Sequence, residues 1–208
     1  LRRDLQLLYY FYLEISARRA ANELEINYNV VHRRFMHFRR CISNYCNNET
    51  RKLYGELELD ESYFGGKRKG NRGRGAKNKA IVFGILERKG KVHTVIVKDV
   101  SADTLMNEIK NKTKKGSVFY TDGWKSYASL EQYGKHNIID HDKELVNNHN
   151  HINGIEGFWS FAKERFHKYH GIRMNNYPLY IKEMEFRFNH RNENVYNLLI
   201  DICIVRRA

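Results

Sequence analysis

The chain reads as an α/β protein, with a mixed five-stranded sheet, flanking helices and a small helical region in front. Three observations predict this. Apolar residues recur at helical spacing through residues 1–50, then give way to strand-like alternation from residue 55 onward. Short apolar runs beyond that point are interleaved with helical stretches, as a sheet with helices on its faces requires. At 208 residues, 41% hydrophobic and 13% aromatic, the chain can bury one sizeable core with a small appended domain.

In the helical region, Leu5, Leu8, Tyr9 and Tyr12 share one face of a first helix. Ser16 is placed to cap a second, short helix carrying Ala17, Ala20, Ala21 and Leu24. Asn27 caps a third, with Val30, Val31, Phe35 and Phe38 on its apolar side. The connector at residues 25–27 is short, as a helix-turn-helix needs. His32, Arg33, Arg34, His37, Arg39 and Arg40 take the remaining faces, so the third helix is expected in a DNA major groove, with Arg33 and Arg34 on phosphate or guanine. The plainer reading is a solvated basic appendage packed on the main domain. The expected division is residues 1–50 as helix-turn-helix region, 51–192 as catalytic domain and 193–208 as a C-terminal tail.

Leu57 and Leu59 alternate with Glu56, Glu58 and Asp60, which predicts the first strand. Residues 65–79 follow, with glycines throughout and seven basic residues between Lys67 and Lys79. This is expected to be a flexible loop that grips phosphate beside the site, though a solvated loop has the same composition. It holds neither GxGxxG nor GKS/T. Residues 80–87 and 92–98 are strand candidates joined at Lys89-Gly90 in a hairpin. Ser101 caps a helix with Leu105, Met106 and Ile109; Val118, Phe119 and Tyr120 form a short strand ending at Asp122-Gly123. A short helix over 124–130, a strand near 137–140, a His- and Asn-rich piece at 146–151 and a long helix over 152–168 complete the set. After the lone Pro178, residues 180–189 read as another helix. The order β-β-β-α-β-α-β-α is that of an RNase H-like fold.

Lys+Arg of 37 against Asp+Glu of 24 gives a net charge of +13, which favours a polyanionic partner such as DNA. The apolar stretch 7–13 is too short to span a bilayer and has no signal-peptide context. Cys41, Cys46 and Cys203 give neither a paired framework nor CxxC zinc spacing, so a reduced setting is expected: cytoplasm in a bacterium, nucleus in a eukaryote. The chain opens on Leu1 rather than Met, as a piece of a longer protein would.

The chemistry is expected from three acids. Asp60 and Asp122 end predicted strands and Glu156 lies on a predicted helix, where an RNase H-like core gathers carboxylates around two divalent metals. Oxygen ligands suit Mg²⁺ or Mn²⁺, and a metal pair drives in-line displacement at phosphorus. At about 100° per residue Asn153, Glu156, Ser160 and Lys163 share one helix face, with Arg165 and Lys168 beyond. That stripe suits a DNA-facing surface, although exposed charge pairs of this spacing are common on helices. Glu61 is an alternative ligand that alternation places on the opposite sheet face; Asp140 and Asp142 are supplementary candidates. His149 and His151 are expected to be polar loop residues.

Three strings carry a resemblance. They are Gly55-Glu56-Leu57-Glu58-Leu59-Asp60-Glu61-Ser62-Tyr63-Phe64-Gly65-Gly66-Lys67, Tyr120-Thr121-Asp122-Gly123-Trp124-Lys125-Ser126-Tyr127 and His151-Ile152-Asn153-Gly154-Ile155-Glu156-Gly157-Phe158-Trp159-Ser160-Phe161-Ala162-Lys163. Together they resemble insertion-sequence transposases of the Merlin type, in the DDE superfamily. The resemblance implies that Asp60, Asp122 and Glu156 form the DDE triad and that Lys163 is the basic residue after the last acid. It also implies a transposase that cleaves and joins DNA with two Mg²⁺ or Mn²⁺ ions and works on terminal-repeat and target DNA as a dimer or larger assembly. Arg33, Arg34, Lys67, Arg68, Lys69, Arg72, Arg74 and Asn153 are the expected DNA contacts. Two rival readings stand beside it: a non-catalytic DNA-binding remnant, and an RNase H-like nuclease without strand transfer.

Overall fold

The computed structural model describes residues 2–65, 79–122, 125–139, 152–169 and 171–205. Two compact units emerge, one of helices and one built on a sheet. Leu1–Thr50 and Arg165–Ala208 form the first, and Arg51–Glu164 the second.

The helical unit begins with α1 (Arg2–Tyr12), α2 (Ala17–Glu23) and α3 (Tyr28–Asn47). Ser16 accepts a bond from the Arg19 amide and Asn27 from the Asn29 amide, so both expected caps start their helices. Leu7, Leu8, Phe11, Val31, Phe35, Phe38 and Ile42 fill the core between them.

In the second unit β1 (Glu56–Phe64), β2 (Ala80–Glu87) and β3 (Val92–Val97) form an antiparallel meander. The turn between β2 and β3 places Lys89 at φ 60°, and Gly90 donates back to the Glu87 carbonyl at 2.8 Å. After α4 (Ala102–Lys112), capped by Ser101 as expected, β4 (Val118–Asp122) pairs parallel with β1. A 3₁₀ helix (Lys125–Gln132) leads to β5 (Lys135–Ile139), parallel to β4. The sheet order is β3-β2-β1-β4-β5. This is the mixed five-stranded RNase H-like sheet that the sequence predicts.

One face of the sheet packs Leu57, Leu59, Phe83, Ile85 and Phe119 against Leu105, Met106 and Ile109 of α4 and against Tyr127 and Leu130. The other carries α5 (Asn153–His167), whose Ile155 and Trp159 come so close to β2 that a Cβ on Gly84 would lie 2.7 Å from the indole. Cover on both faces explains why β2 is apolar almost throughout.

Beyond residue 164 the compact units divide the chain differently from the sequence-based limits. The last turn of α5, then α6 (Tyr177–Asn189) and α7 (Val195–Cys203), belong to the helical unit rather than to residues 51–192 and a tail. The reason is burial: Phe186, Leu199, Ile202 and Cys203 complete the core around α1–α3. Pro178 lies in the first turn of α6 instead of preceding it, where its missing N–H costs nothing. Among the described residues no helix is long and apolar enough to cross a membrane.

Candidate active site

Strand alternation sends Glu56, Glu58 and Asp60 to one face of β1 and Leu57, Leu59 and Glu61 to the other. Glu61 accepts a bond from the buried Tyr127 hydroxyl on that opposite face. The three acids on the first face are each bound to another element. Glu56 accepts from the Tyr120 hydroxyl of β4 at 2.7 Å. Glu58, 1% exposed, accepts from the Ile155 amide of α5 at 2.8 Å and from Arg88 Nε at 3.0 Å. Asp60 accepts from the Trp159 indole N–H of α5 at 2.9 Å, and its other oxygen takes the Glu61 amide at 2.8 Å.

The β1–β4 ladder pairs Glu56 with Val118, Leu57 with Phe119 and Glu58 with Tyr120, and stops there. Asp60 and Asp122 each lie two residues past the last pair, on the same face, where the two strands part company. Burial, first, pushes the Asp60 carboxyl up to about 6, and the nearby charges of Asp122 and Glu156 add to the rise. The bonds from the Glu61 amide and Trp159 oppose it. Asp60 therefore feels both of the other expected acids electrostatically.

On α5, Asn153, Glu156, Ser160 and Lys163 are exposed, while Ile155, Phe158, Trp159 and Ala162 are buried, so the polar stripe faces solvent as the helical spacing predicts. Its expected extension does not hold. Arg165 and Lys168 are bound to Glu14, at 3.1 Å and 3.9 Å, because both fall in the helical unit.

On α3, Arg33 and Arg40 are exposed. Arg34 instead pairs with Asp4 and lies 5.6 Å over the Phe38 ring, which draws it away from the surface expected to face DNA. Arg39 is buried and paired with Glu183 at 2.7 Å, another departure from its expected solvent position. Lys67, Arg68, Lys69, Arg72 and Arg74, with Asp140, Asp142, His149 and His151, lie outside the described residues.

Sequence reasoning missed Glu58, Arg88 and Trp159. The signal for Glu58 is its two-residue spacing from Asp60; Trp159 lies off the polar stripe of α5, so nothing in the helical spacing links its indole to Asp60. Among the described residues no three His, Cys, Asp or Glu side chains converge closely enough to hold an ion. The donor set nevertheless suits a hard divalent cation: carboxylate oxygens only, with Asp60 bound by neutral donors.

The sheet thus carries acids where two adjacent strands part and on the helix above them. The ISXO2-like transposase domain matches residues 52–189, and the chain belongs to that family, among the insertion-sequence transposases of the DDE superfamily. A transposase-like protein of Haemophilus influenzae, described as uncharacterized, is 43% identical over 102 residues, covering 49% of this chain and 83% of that one. A protein in transposable element ISH50 of Halobacterium salinarum is 25% identical over 197 residues, covering 86% of this chain and 66% of that one. Among solved structures, the Mos1 transposase paired-end complex with left transposon end aligns with a TM-score of 0.34 at 13% identity, covering 95% of this chain and 77% of that one.

Proposed function

We propose that this chain is a Merlin-type transposase that cleaves the ends of its own insertion sequence and joins them to target DNA. Asp60, Asp122 and Glu156 are the residues that would hold two Mg²⁺ or Mn²⁺ ions. When bound, such a pair supplies activation of water, and then of a 3′-hydroxyl, for in-line attack at phosphorus. Asp60 is kept oriented by Trp159 and the Glu61 amide. Lys163, exposed on the same α5 stripe as Glu156, is placed to take a phosphate near the scissile bond, with Asn153 one turn earlier as a helper. The observation that carries the reading is the placement of Asp60 and Asp122 two residues past the last β1–β4 pair, with the charges of Asp122 and Glu156 both raising the Asp60 carboxyl, inside the matched family segment.

Double-stranded DNA is the partner, held by two or more protomers, since both ends of an element must be gripped at once. The α3 surface supports this. Asn29, Arg33, Arg40, Asn44 and Asn47 are exposed at helical spacing, and the helix carries no Asp or Glu over its 20 residues. Arg and Asn are the side chains that bond guanine, adenine and phosphate. The helix-turn-helix region and the basic Lys67, Arg68, Lys69, Arg72 and Arg74 would hold terminal and flanking DNA.

The test is incubation with duplexes carrying the element's terminal repeats and Mn²⁺, or EDTA. Nicked and joined products should form only with the metal, and should fall to background in Asp60→Asn, Asp122→Asn and Glu156→Gln. Cleavage without joining would favour a nuclease. Products that persist in all three variants would remove the acids from the mechanism.

A further inference from the structure

We propose that Glu58 is a positioning residue that docks the first turn of α5 on β1 and so fixes Glu156 relative to Asp60; this rests on reading those acids as metal ligands. Helix α5 has an incomplete cap of its own. Ile152 accepts the first intrahelical bond through its carbonyl, from the Glu156 amide at 3.1 Å, but its side chain has no oxygen for the first-turn amides. Glu58 supplies one from another element, its Oε2 taking the Ile155 amide at 2.8 Å. A carboxylate at a helix N-terminus also meets the positive end of the helix dipole. Arg88, on the other carboxylate oxygen at 3.0 Å, matches the buried charge, so this acid is spent on structure.

The docking has a register. Ile155 and Trp159 are one helical turn apart, ~6 Å along the axis at ~1.5 Å per residue. Their acceptors, Glu58 and Asp60, are two residues apart on one strand face, ~6.6 Å at ~3.3 Å per residue. The two spacings agree, so both hydrogen bonds form together only when α5 is seated at one position along β1. Glu156 follows the first anchor directly and precedes the second by less than a turn.

Gly154 makes the close approach possible. A Cβ there would lie 2.5 Å from Leu86 Cδ2 and 2.8 Å from Glu58 Oε2, and Glu58 is buried and bonded on both oxygens. Gly154→Ala therefore disturbs the dock without changing any charge. On helix propensity alone alanine should favour α5, so a loosened helix would have the opposite sign.

The experiment uses the full chain without DNA. Amide hydrogen exchange is read across α5 and the sheet, and Mn²⁺ affinity by electron paramagnetic resonance. In Glu58→Ala and Gly154→Ala, exchange at residues 153–156 should quicken and Mn²⁺ affinity should fall about tenfold, the lower end of losses when a ligand's supporting partner is removed. Protection in β1, β2 and β3 should persist. Glu58→Gln, which keeps an acceptor oxygen, should restore part of the α5 protection. If Glu58→Ala does not fold, Gly154→Ala carries the test alone. Wild-type α5 exchange and Mn²⁺ affinity in the folded variants would overturn the proposal. A wild-type chain that takes up no Mn²⁺ would defeat the metal reading, and α5 exchange alone would then judge the dock.

Discussion

Glu183 in the helical unit and Asp60 in the sheet unit are both carboxylates withdrawn from water, and their surroundings differ in kind. Glu183 is fully buried between Arg39 at 2.7 Å and Arg187 at 3.0 Å. Arg187 also donates to the Phe11 and Tyr12 carbonyls, and Arg39 lies 4.0 Å over the Tyr180 ring. Asp60 receives only neutral donors from Trp159 and the Glu61 amide, and burial with two like charges pushes it up to about 6. A buried acid matched by cations holds a fold together; one left short of positive charge marks a place where charge is wanted later. Glu58, two residues from Asp60 and matched by Arg88, belongs to the first kind.

The largest effect expected from this contrast is at Glu183. Glu183→Gln leaves Arg39 buried without its counter-charge and Arg187 with only Glu14 at 3.9 Å, which costs about 3–5 kcal/mol by precedent for broken buried pairs. Urea denaturation monitored by circular dichroism checks it. A loss under about 1 kcal/mol would place Glu183 among ordinary surface-type pairs and erase the contrast.

Asp60→Asn should act with the opposite sign. The Asp60 pKa is raised on folding, so between about 4 and 6 the folded chain holds a proton that the unfolded chain has released. Stability contributed by this group therefore falls as pH rises through that window and stays low above it. Removing the charge should stabilise the protein near pH 7 by up to about 3 kcal/mol, and by little near pH 4. Thermal melts of both proteins across that range give the difference directly. Equal melting at neutral pH would mean the Asp60 charge is already well satisfied without a cation.

How legible these two regions were follows from the same physics. Period-two alternation exposed β1, and the acids Asp60 and Asp122 at the ends of strands pointed to the site. The caps Ser16, Asn27 and Ser101 each bond an amide in the first turn of the following helix, because capping is a local interaction. What stayed hidden was long-range. Helix α6 is buried on nearly every side from Tyr180 to Arg187, so it has little periodicity to read. Its Glu183 and Arg187 look like part of a solvated charge run until their partners 144 and more residues away, Arg39 and the Phe11 and Tyr12 carbonyls, are seen. Arg34, an expected DNA contact, and Arg39, expected off the apolar face of its helix, mislead for the same reason: a charge on a helix reads as exposed unless its counter-ion is known. Glu58 was hidden by its usefulness to α5, which lies 97 residues further along the chain.

The smallest effect, and the one that sharpens the contrast most, is at Trp159. The indole N–H favours the ionised form of Asp60, while its ring packs against Phe64 and over Gly84. Trp159→Phe keeps an aromatic ring in that space and removes the donor. The Asp60 carboxyl should then move up from about 6, since one bond to its charged form is lost while burial and the charges of Asp122 and Glu156 remain. A ligand carboxylate must be deprotonated to bind metal, so the pH at which Mn²⁺ uptake is half lost should move up with it, by less than about one unit. Folding stability should fall by about 1 kcal/mol near neutral pH, the scale of a single hydrogen bond. Mn²⁺ titrations at a series of pH values separate the two consequences, because a purely structural indole would weaken the fold without moving that midpoint. An unmoved midpoint in a folded Trp159→Phe protein would therefore assign Trp159 to packing alone and leave Asp60 oriented by the Glu61 amide.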